Sequence, residues 1–472
     1  MRPTLPLTPR ARGCYDAPAP VSTAVDDPRV RALALLKRHG YNATSFQTLE
    51  RGFRYWFDGD EACVAYADTG SAWVVAGAPI APTERLADVA RRFEAAARTA
   101  RRRVCYFGVE QRMVAASIGL ALTIGAQPVW NPSGWPDILR GSSSLKEQVR
   151  RARAKGVRVR LAEPGEVTDA SSPTRLAVDG LIERWLASKP MAPMGFLVDV
   201  QPFDFAEERR YFVAERDGRV VGFLAAVPVY ARDGWLFEDL LRDADAPNGT
   251  TELLIDTAMR DAAHSQSGYV TLGLAPLGGD VDPRLRTVGA LSSGLYDFGG
   301  LYLFKSKLKP HRWDPIHLVH PPGTFAAVAL FDALTAFAHG SLGRYGLRSI
   351  LRGPSVVVRV LALLLVPWTA LLLAADTTRW FPSTFLKVAS VALNVALALG
   401  LWSLARRWRP GLATALAIAV TADAALTIAH ALAFNLSRVR GLSDALLVLV
   451  SCLAPTLAGA ILWNARALRA RL

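Results

Sequence analysis

The sequence predicts an α/β protein made of two similar mixed-sheet units joined by a basic helix and followed by a four-helix transmembrane region. Three observations carry this reading. Helix-like and strand-like segments alternate from Val30 to about residue 320, with hairpin turns between the strands. Eight basic residues and one acid, Glu147, crowd into 140–160. From Ser355 onward the chain is overwhelmingly apolar. This last feature resolves a conflict in composition: a net charge of +14 and a pI near 10.0 accompany a mean hydropathy of +0.20 over 472 residues, a combination rare in one soluble domain.

Residues 1–28 hold Pro3, Pro6, Pro9, Pro18, Pro20 and Pro28 and no apolar run long enough for a signal-peptide core, so they read as a disordered arm. The first unit spans 29–139. Its opening helix closes on Gly40; the apolar runs 61–68 and 71–80 are separated by Asp68-Thr69-Gly70, a hairpin signal. An amphipathic helix over 86–100 and a buried strand over 103–109 follow. The second unit, 161–322, repeats the pattern. A helix ends at Ser188, three strands turn at Asp217-Gly218 and Asp233-Gly234, and a helix over 251–266 leads into a strand over 269–277. A hairpin-rich sheet, then a helix, then a strand is the order of the acetyltransferase-like fold of the GNAT type, so the two units read as a tandem of such domains. An acetyl-CoA enzyme of that fold has a glycine-rich loop before its central helix to hold pyrophosphate; here Asp245-Ala246-Pro247-Asn248-Gly249-Thr250 has one glycine, which disfavours coenzyme A.

Between the units lies the linking helix of 140–160. Ser144 and Glu147 have capping-box spacing and Gly156 stands where a C-cap would, which predicts a helix over 145–155. Lys146, Arg150 and Arg153 share a stripe, with Arg151 and Lys155 beside it, and Leu145, Val149 and Ala152 form a thin apolar seam. A solvated charged helix is the plain reading. The scarcity of acids favours a helix that docks by its seam and offers a positive face to a polyanion, either nucleic acid or an anionic membrane.

After a juxtamembrane segment, 323–354, four apolar stretches fill 355–465: 355–375, 384–405, 412–434 and 444–463. Each has about the 20 residues that cross a bilayer core of ~30 Å. The arginines at 344, 348, 352, 406, 407, 409, 466, 469 and 471 fall on one side, against Arg379, Lys387, Arg438 and Arg440 on the other. The positive-inside rule then places the large N-terminal part in the cytoplasm. Asp423 and His430, seven apart within a span, could form a buried polar pair. The short apolar segment 325–339 reads as a helix lying in the membrane interface or as a core helix of the second unit. Cys14, Cys63, Cys105 and Cys452 are scattered with no paired spacing, which fits a reducing compartment. His311, His317 and His320 match no helical metal motif and read as loop residues, so no metal is expected.

Six blocks in order over about 280 residues resemble the synthase domain of the bacterial phosphatidylglycerol lysyltransferase family, the multiple peptide resistance factor proteins. They are Gly77-Ala78-Pro79-Ile80; the basic helix; Glu183-Arg184-Trp185-Leu186 with Gly195-Phe196; Asp239-Leu240-Leu241-Arg242 with Pro247-Asn248-Gly249; Leu272 to Leu277; and Gly300 to Lys307 with Pro310 and Trp313. The resemblance implies transfer of an aminoacyl group from aminoacyl-tRNA to a hydroxyl of a membrane lipid, typically phosphatidylglycerol. It implies a multi-pass protein of the bacterial inner membrane and no cofactor. Two features depart from the family: the apolar spans follow the synthase part instead of preceding it, and Gly125 to Trp130 replaces a more acidic segment. Flippase activity is therefore not expected.

An aminoacyl ester is already activated, so the enzyme must align a hydroxyl, take its proton and stabilise an oxyanion. Asp239, after a strand and before the central helix, is the candidate for the base or for the group that holds the substrate ammonium; a structural pair with Arg242 is the plainer alternative. Glu238 should point to the opposite face. Arg242 suits a phosphate. Lys305 and Lys307 alternate on a strand-like segment and so share a face, Lys305 towards the ester and Lys307 towards phosphate, or both guard a strand edge. Arg150, Arg151, Arg153 and Lys155 are the candidate contacts to tRNA or lipid phosphate. Two other readings stay open: an acyl-CoA-dependent acyltransferase of the same fold, and a non-catalytic RNA- or lipid-binding membrane protein.

Overall fold

The computed structural model describes residues 27–469 apart from 117, 190, 283–284, 286–297, 353, 375 and 407. All but the last two residues of the expected N-terminal arm lie outside this set, as does the orienting Arg471. A first helix, Pro28–His39, starts on a proline at its first turn, with the Asp27 carboxylate accepting the Arg29 N–H at 2.9 Å.

The described strands form one mixed sheet. In the first half these are β1 (Arg54–Asp58), β2 (Ala62–Asp68), β3 (Ala72–Ala76), β4 (Arg103–Val109) and β5 (Leu120–Trp130). In the second they are β6 (Arg158–Ala162), β7 (Arg210–Arg216), β8 (Arg219–Val229), β9 (Gly234–Arg242), β10 (Tyr269–Thr271), β11 (Ala275–Pro276) and β12 (Arg312–His320). The order across the sheet is β1-β2-β3-β4-β12-β5-β10-β9-β8-β7-β6, with β11 on β5. Each half is an antiparallel meander, a helix and a parallel return strand, β3 beside β4 and β9 beside β10. The tandem arrangement expected from the sequence is thus present, and it is woven together. β12 inserts between β4 and β5, and β5 continues onto β10, so each half completes the other's sheet.

Local chemistry explains the turns. Asp217 and Gly218 both have positive φ, 52° and 75°, the geometry of a tight two-residue turn whose twist matches a right-handed hairpin. The helix Leu86–Thr99 buries Val89, Ala90, Phe93 and Ala97 on the first half. Thr250–His264, the central helix of the second half, buries Leu253, Leu254, Ile255, Ala258, Met259 and Ala262. Leu145, Val149 and Ala152 of the basic helix join that same core. Each large side chain taken out of water there contributes about 1.5–3 kcal/mol.

Several expectations change. The basic helix is Ser143–Ala154 and its cap is Ser142, whose hydroxyl accepts the Leu145 N–H; Glu147 turns to Arg150 and Arg151, so the expected capping box does not form. Lys305 and Lys307 lie on a helix, Phe298–Lys307, where a spacing of two puts them on different faces: Lys305 is buried and Lys307 exposed. His317 and His320 sit on β12, not in a loop. The segment 325–339 contains the helix Ala326–Phe337, packed on the sheet by one face.

At the C-terminus three helices among the described residues are long and apolar enough to cross a membrane: Thr384–Ala405, Pro410–Arg438 and Leu442–Trp463. The expected fourth is not established. Its helix, Pro354–Ala374, carries Pro367 and Arg359, and its described apolar run, Val358–Ala374, is shorter. Nor do Asp423 and His430 pair: seven residues of helix separate them by about 10 Å. His430 instead packs against Phe381 and Phe434, at 5.9 and 5.5 Å.

Candidate active site

β9 and β10 run parallel for three residue pairs, Gly234–Leu236 against Tyr269–Thr271. β9 then continues to Arg242 with β8 on one side and, among the described residues, no strand on the other, so the sheet opens into a notch. Candidate residues of the sequence lie on the two chains that part here.

On the β9 wall the register with β8 slips: Ala225 faces Asp239 and Ala226 faces Phe237, which leaves Glu238 as the extra residue of a bulge. A bulge breaks the alternation of side chains, so Glu238 does not point away from Asp239 as strict alternation predicts. Both project to the side where Glu50, from the first half, is buried at 2% exposure. Arg209, just before β7, is the cation of this group. Its guanidinium donates to Glu238 at 2.6 Å and to the Asp204 carbonyl at 3.0 Å, and both side chains of the ion pair are almost fully buried. Three carboxyls thus face one guanidinium. Both Glu50 oxygens and one of Glu238 are buried without a hydrogen-bond donor. Burial, then the charges of Glu238 and Asp239, hold the Glu50 carboxyl well above the usual carboxylate range. Asp239 is raised likewise, by burial and then by Glu238. The cluster is short of positive charge, and a primary ammonium is the group that would complete it.

On the β10 wall Lys305 reaches up from its helix. Its ammonium donates to the carbonyls of Leu272, Gly273 and Leu274 at 2.8, 2.9 and 2.8 Å. Burial pushes its pKa down to about 7, while three acceptors match the three protons of the charged form. The bonds fix the chain just after β10, where Gly273, at φ 69°, makes a turn. Lys305 therefore anchors its helix to the chain that follows β10.

Arg242 lies elsewhere. Leu240 packs with the central-helix core and Leu241 with the opposite one, so Asp239 and Arg242 are on opposite faces of the sheet and do not pair. Among the described residues no carboxylate contacts the half-buried Arg242. On the basic helix Arg150 and Arg151 share Glu147, both at 2.7 Å, and stay 67% and 55% exposed. Arg153 bonds the fully buried Asp256 of the central helix at 2.9 Å, fixing one helix on the other; Lys155 is exposed. A Cβ on Gly249, the cap of the central helix, would lie 2.0 Å from the Gln148 carbonyl. The basic helix therefore covers the helix N-terminus where an acetyltransferase of this fold would seat pyrophosphate.

Asp239 and Glu238 are brought together with Glu50 and Arg209, while Lys305 is held by the carbonyls that follow β10 and Arg242, Lys307 and the basic helix lie apart from the acids. The sequence reading missed Glu50 and Arg209. Glu50 is a lone acid in the other half of the chain, and neither residue has a local pattern that marks it.

A family model described as "Phosphatidylglycerol lysyltransferase, C-terminal" matches residues 33–320. Among solved structures, the C-terminal domain of a protein from Agrobacterium fabrum described as a putative lysylphosphatidylglycerol synthetase is 22% identical, with TM-score 0.58. That match covers 66% of this chain and 98% of the other. L-PGS from Bacillus licheniformis is 19% identical, with TM-score 0.57, covering 66% and 97%. A search of curated proteins found no match. The two structures share the fold of the sheet and its helices, and the family model spans well over half of the chain. The protein belongs to the phosphatidylglycerol lysyltransferase C-terminal family, a family of transferases.

Proposed function

We propose that this protein moves an aminoacyl group from aminoacyl-tRNA to a hydroxyl of a membrane lipid, phosphatidylglycerol being the acceptor that the family description names. The observation that carries the reading is the notch itself, with its three carboxyls, one guanidinium and orphaned Glu50 oxygens. An aminoacyl ester presents an ammonium group beside an electrophilic carbonyl, and this site offers acids to the first. Glu50 and Glu238 hold the ammonium. Asp239 takes the proton of the lipid hydroxyl as its oxygen bonds the acyl carbon, and returns it to the 3′ oxygen of tRNA as the old ester bond breaks. A carboxyl with a raised pKa suits that exchange at neutral pH.

Lys305 holds the chain that follows β10. Arg242, Lys307 and the basic helix, through Arg150, Arg151, Arg153 and Lys155, meet phosphates of tRNA or lipid outside it. The C-terminal helices hold the protein in the bacterial inner membrane with this part in the cytoplasm, as the arginine distribution favours. Against an acyl-CoA donor stands the Gln148 carbonyl closed onto Gly249. The test is transfer: membranes containing the protein are given labelled aminoacyl-tRNA and the lipid extract is counted. RNase-sensitive label in lipid supports the proposal. Label arriving from free amino acid despite RNase, or none with any charged tRNA, overturns it. An unchanged lipid profile in cells carrying Asp239→Asn favours the non-catalytic binding alternative.

A further inference from the structure

The helix Ala326–Phe337 has two unlike faces. Ala329, Ala333 and Ala336 pack on the sheet, and Asp332, the one charged residue, is 1% exposed and held by Arg103 at 2.8 and 2.6 Å. The outer face is apolar throughout. Ala327, Phe331 and Leu334 fall at i, i+4 and i+7, with Phe325 at the helix start, and Phe325, Phe331 and Leu334 are 80%, 56% and 48% exposed. A surface helix in water carries charge on that face.

The chain beyond this helix identifies the cover. The next helix, Leu342–Arg352, is fixed to the globular part by one side: Tyr345 donates to the Ala192 carbonyl at 3.0 Å, and the Ala192 N–H donates to Ser349 at 3.1 Å. Its other side exposes Arg344 and Arg348, one turn apart. Immediately beyond it the apolar helices begin, so the stripe lies within one short helix, about 16 Å, of the apolar region. An apolar stripe, a basic pair and the start of the membrane region along one run of chain match the layers of an anionic bilayer surface.

We infer that the outer face of Ala326–Phe337, with Arg344 and Arg348, is an in-plane contact with an anionic membrane surface. The contact leads back to the notch. The Gly195 N–H donates to the Phe337 carbonyl at 2.9 Å, the Leu197 carbonyl accepts from Gln47 at 2.9 Å, and Asp199 acts electrostatically on Asp239. Seating the helix on the leaflet therefore fixes the acid cluster at a set height above it. The inference concerns position and stands whether or not the lipid is the substrate.

The full-length protein tests it, with Cys14 and Cys452 exchanged for serine and the buried Cys63 and Cys105 kept. A nitroxide is placed at Leu334→Cys, at Ala327→Cys as a second site, or at Arg219→Cys on the β7–β8 hairpin as a reference. Each protein is set in nanodiscs of phosphatidylcholine with phosphatidylglycerol. The expected shift is towards oxygen accessibility and away from a water-soluble nickel chelate at both helix sites relative to the reference, reduced by Arg344→Glu with Arg348→Glu. Chelate accessibility equal to the reference at both sites overturns the inference. Shielding accompanied by spin–spin broadening between labels also overturns it, because a second copy would then be the cover.

Discussion

The two halves of the sheet build the same motif and finish it differently. In the first half β3 and β4 are paired along all five residues of β3, and past the last pair the Gly77 N–H still reaches the Phe107 carbonyl at 2.7 Å. Asn42 and Thr44 fill what remains. Asn42 donates to the Gly108 carbonyl at 3.2 Å, and a Cβ on Gly77, at φ 71°, would lie 2.8 Å from the Thr44 hydroxyl. In the second half the parallel pairing stops after three residues, a bulge turns two acids to one side, and Lys305 holds the chain that follows β10. On the proposed function the closed notch is scaffold and the open one is the site. The difference is made by the length of one strand pairing and by one inserted residue, not by a different fold.

The largest expected effect tests that contrast. Asp239→Asn in the open notch should lower the transfer rate by about 100-fold or more, measured as labelled lipid formed from aminoacyl-tRNA. Glu110→Gln beside the closed notch, where Glu110 bonds Arg232 at 2.8 Å, should leave turnover per folded molecule near wild type. Equal losses would remove the distinction between the halves.

Next in size is Arg209→Met. It breaks the buried Arg209–Glu238 ion pair by removing one partner, and should cost about 3–5 kcal/mol of stability in denaturant unfolding. Glu50→Gln should act in the opposite direction. A carboxyl whose pKa is raised on folding opposes folding at pH values above its unfolded value, so the substitution should raise Tm at pH 8. That gain should shrink as pH falls and vanish below about 4.5, where the acid is protonated in both states, while activity is lost at every pH. A protein that is less stable and less active at pH 8 would mean that Glu50 is a structural acid.

The smallest effect concerns the basic helix. Arg150→Glu with Arg151→Glu, both exposed, should raise KM for charged tRNA with kcat unchanged. The slope of log affinity against log salt should become shallower by about one for each phosphate that is no longer neutralised. An unchanged KM for tRNA would assign this face to lipid.

The two-unit α/β order, the basic helix with its seam and the apolar C-terminal quarter were legible in the sequence because each rests on short-range periodicity or composition. Asp239 was expected just after a strand, whereas it lies inside β9, three residues before its end. What stayed hidden is long-range. Glu50 is 188 residues from Glu238, and β12 enters the first half from beyond the second, so no local pattern reports either. The Lys305 and Lys307 spacing of two fitted a strand, but tertiary packing made the segment a helix and separated them. Glu147 was read as a capping acid, yet two arginines within reach outcompete a backbone N–H for its carboxylate.

The central claim is that the carboxyls of the open notch receive the ammonium of an aminoacyl group. Isothermal titration with the unreactive amide of the transferred amino acid, in buffers of different ionisation enthalpy, counts the protons exchanged on binding. The account predicts binding with net proton release, since a cation entering beside Glu50 and Asp239 favours their ionised forms, and loss of that binding in Glu50→Gln and Glu238→Gln. Binding of equal strength in both variants, with no protons released, would contradict it.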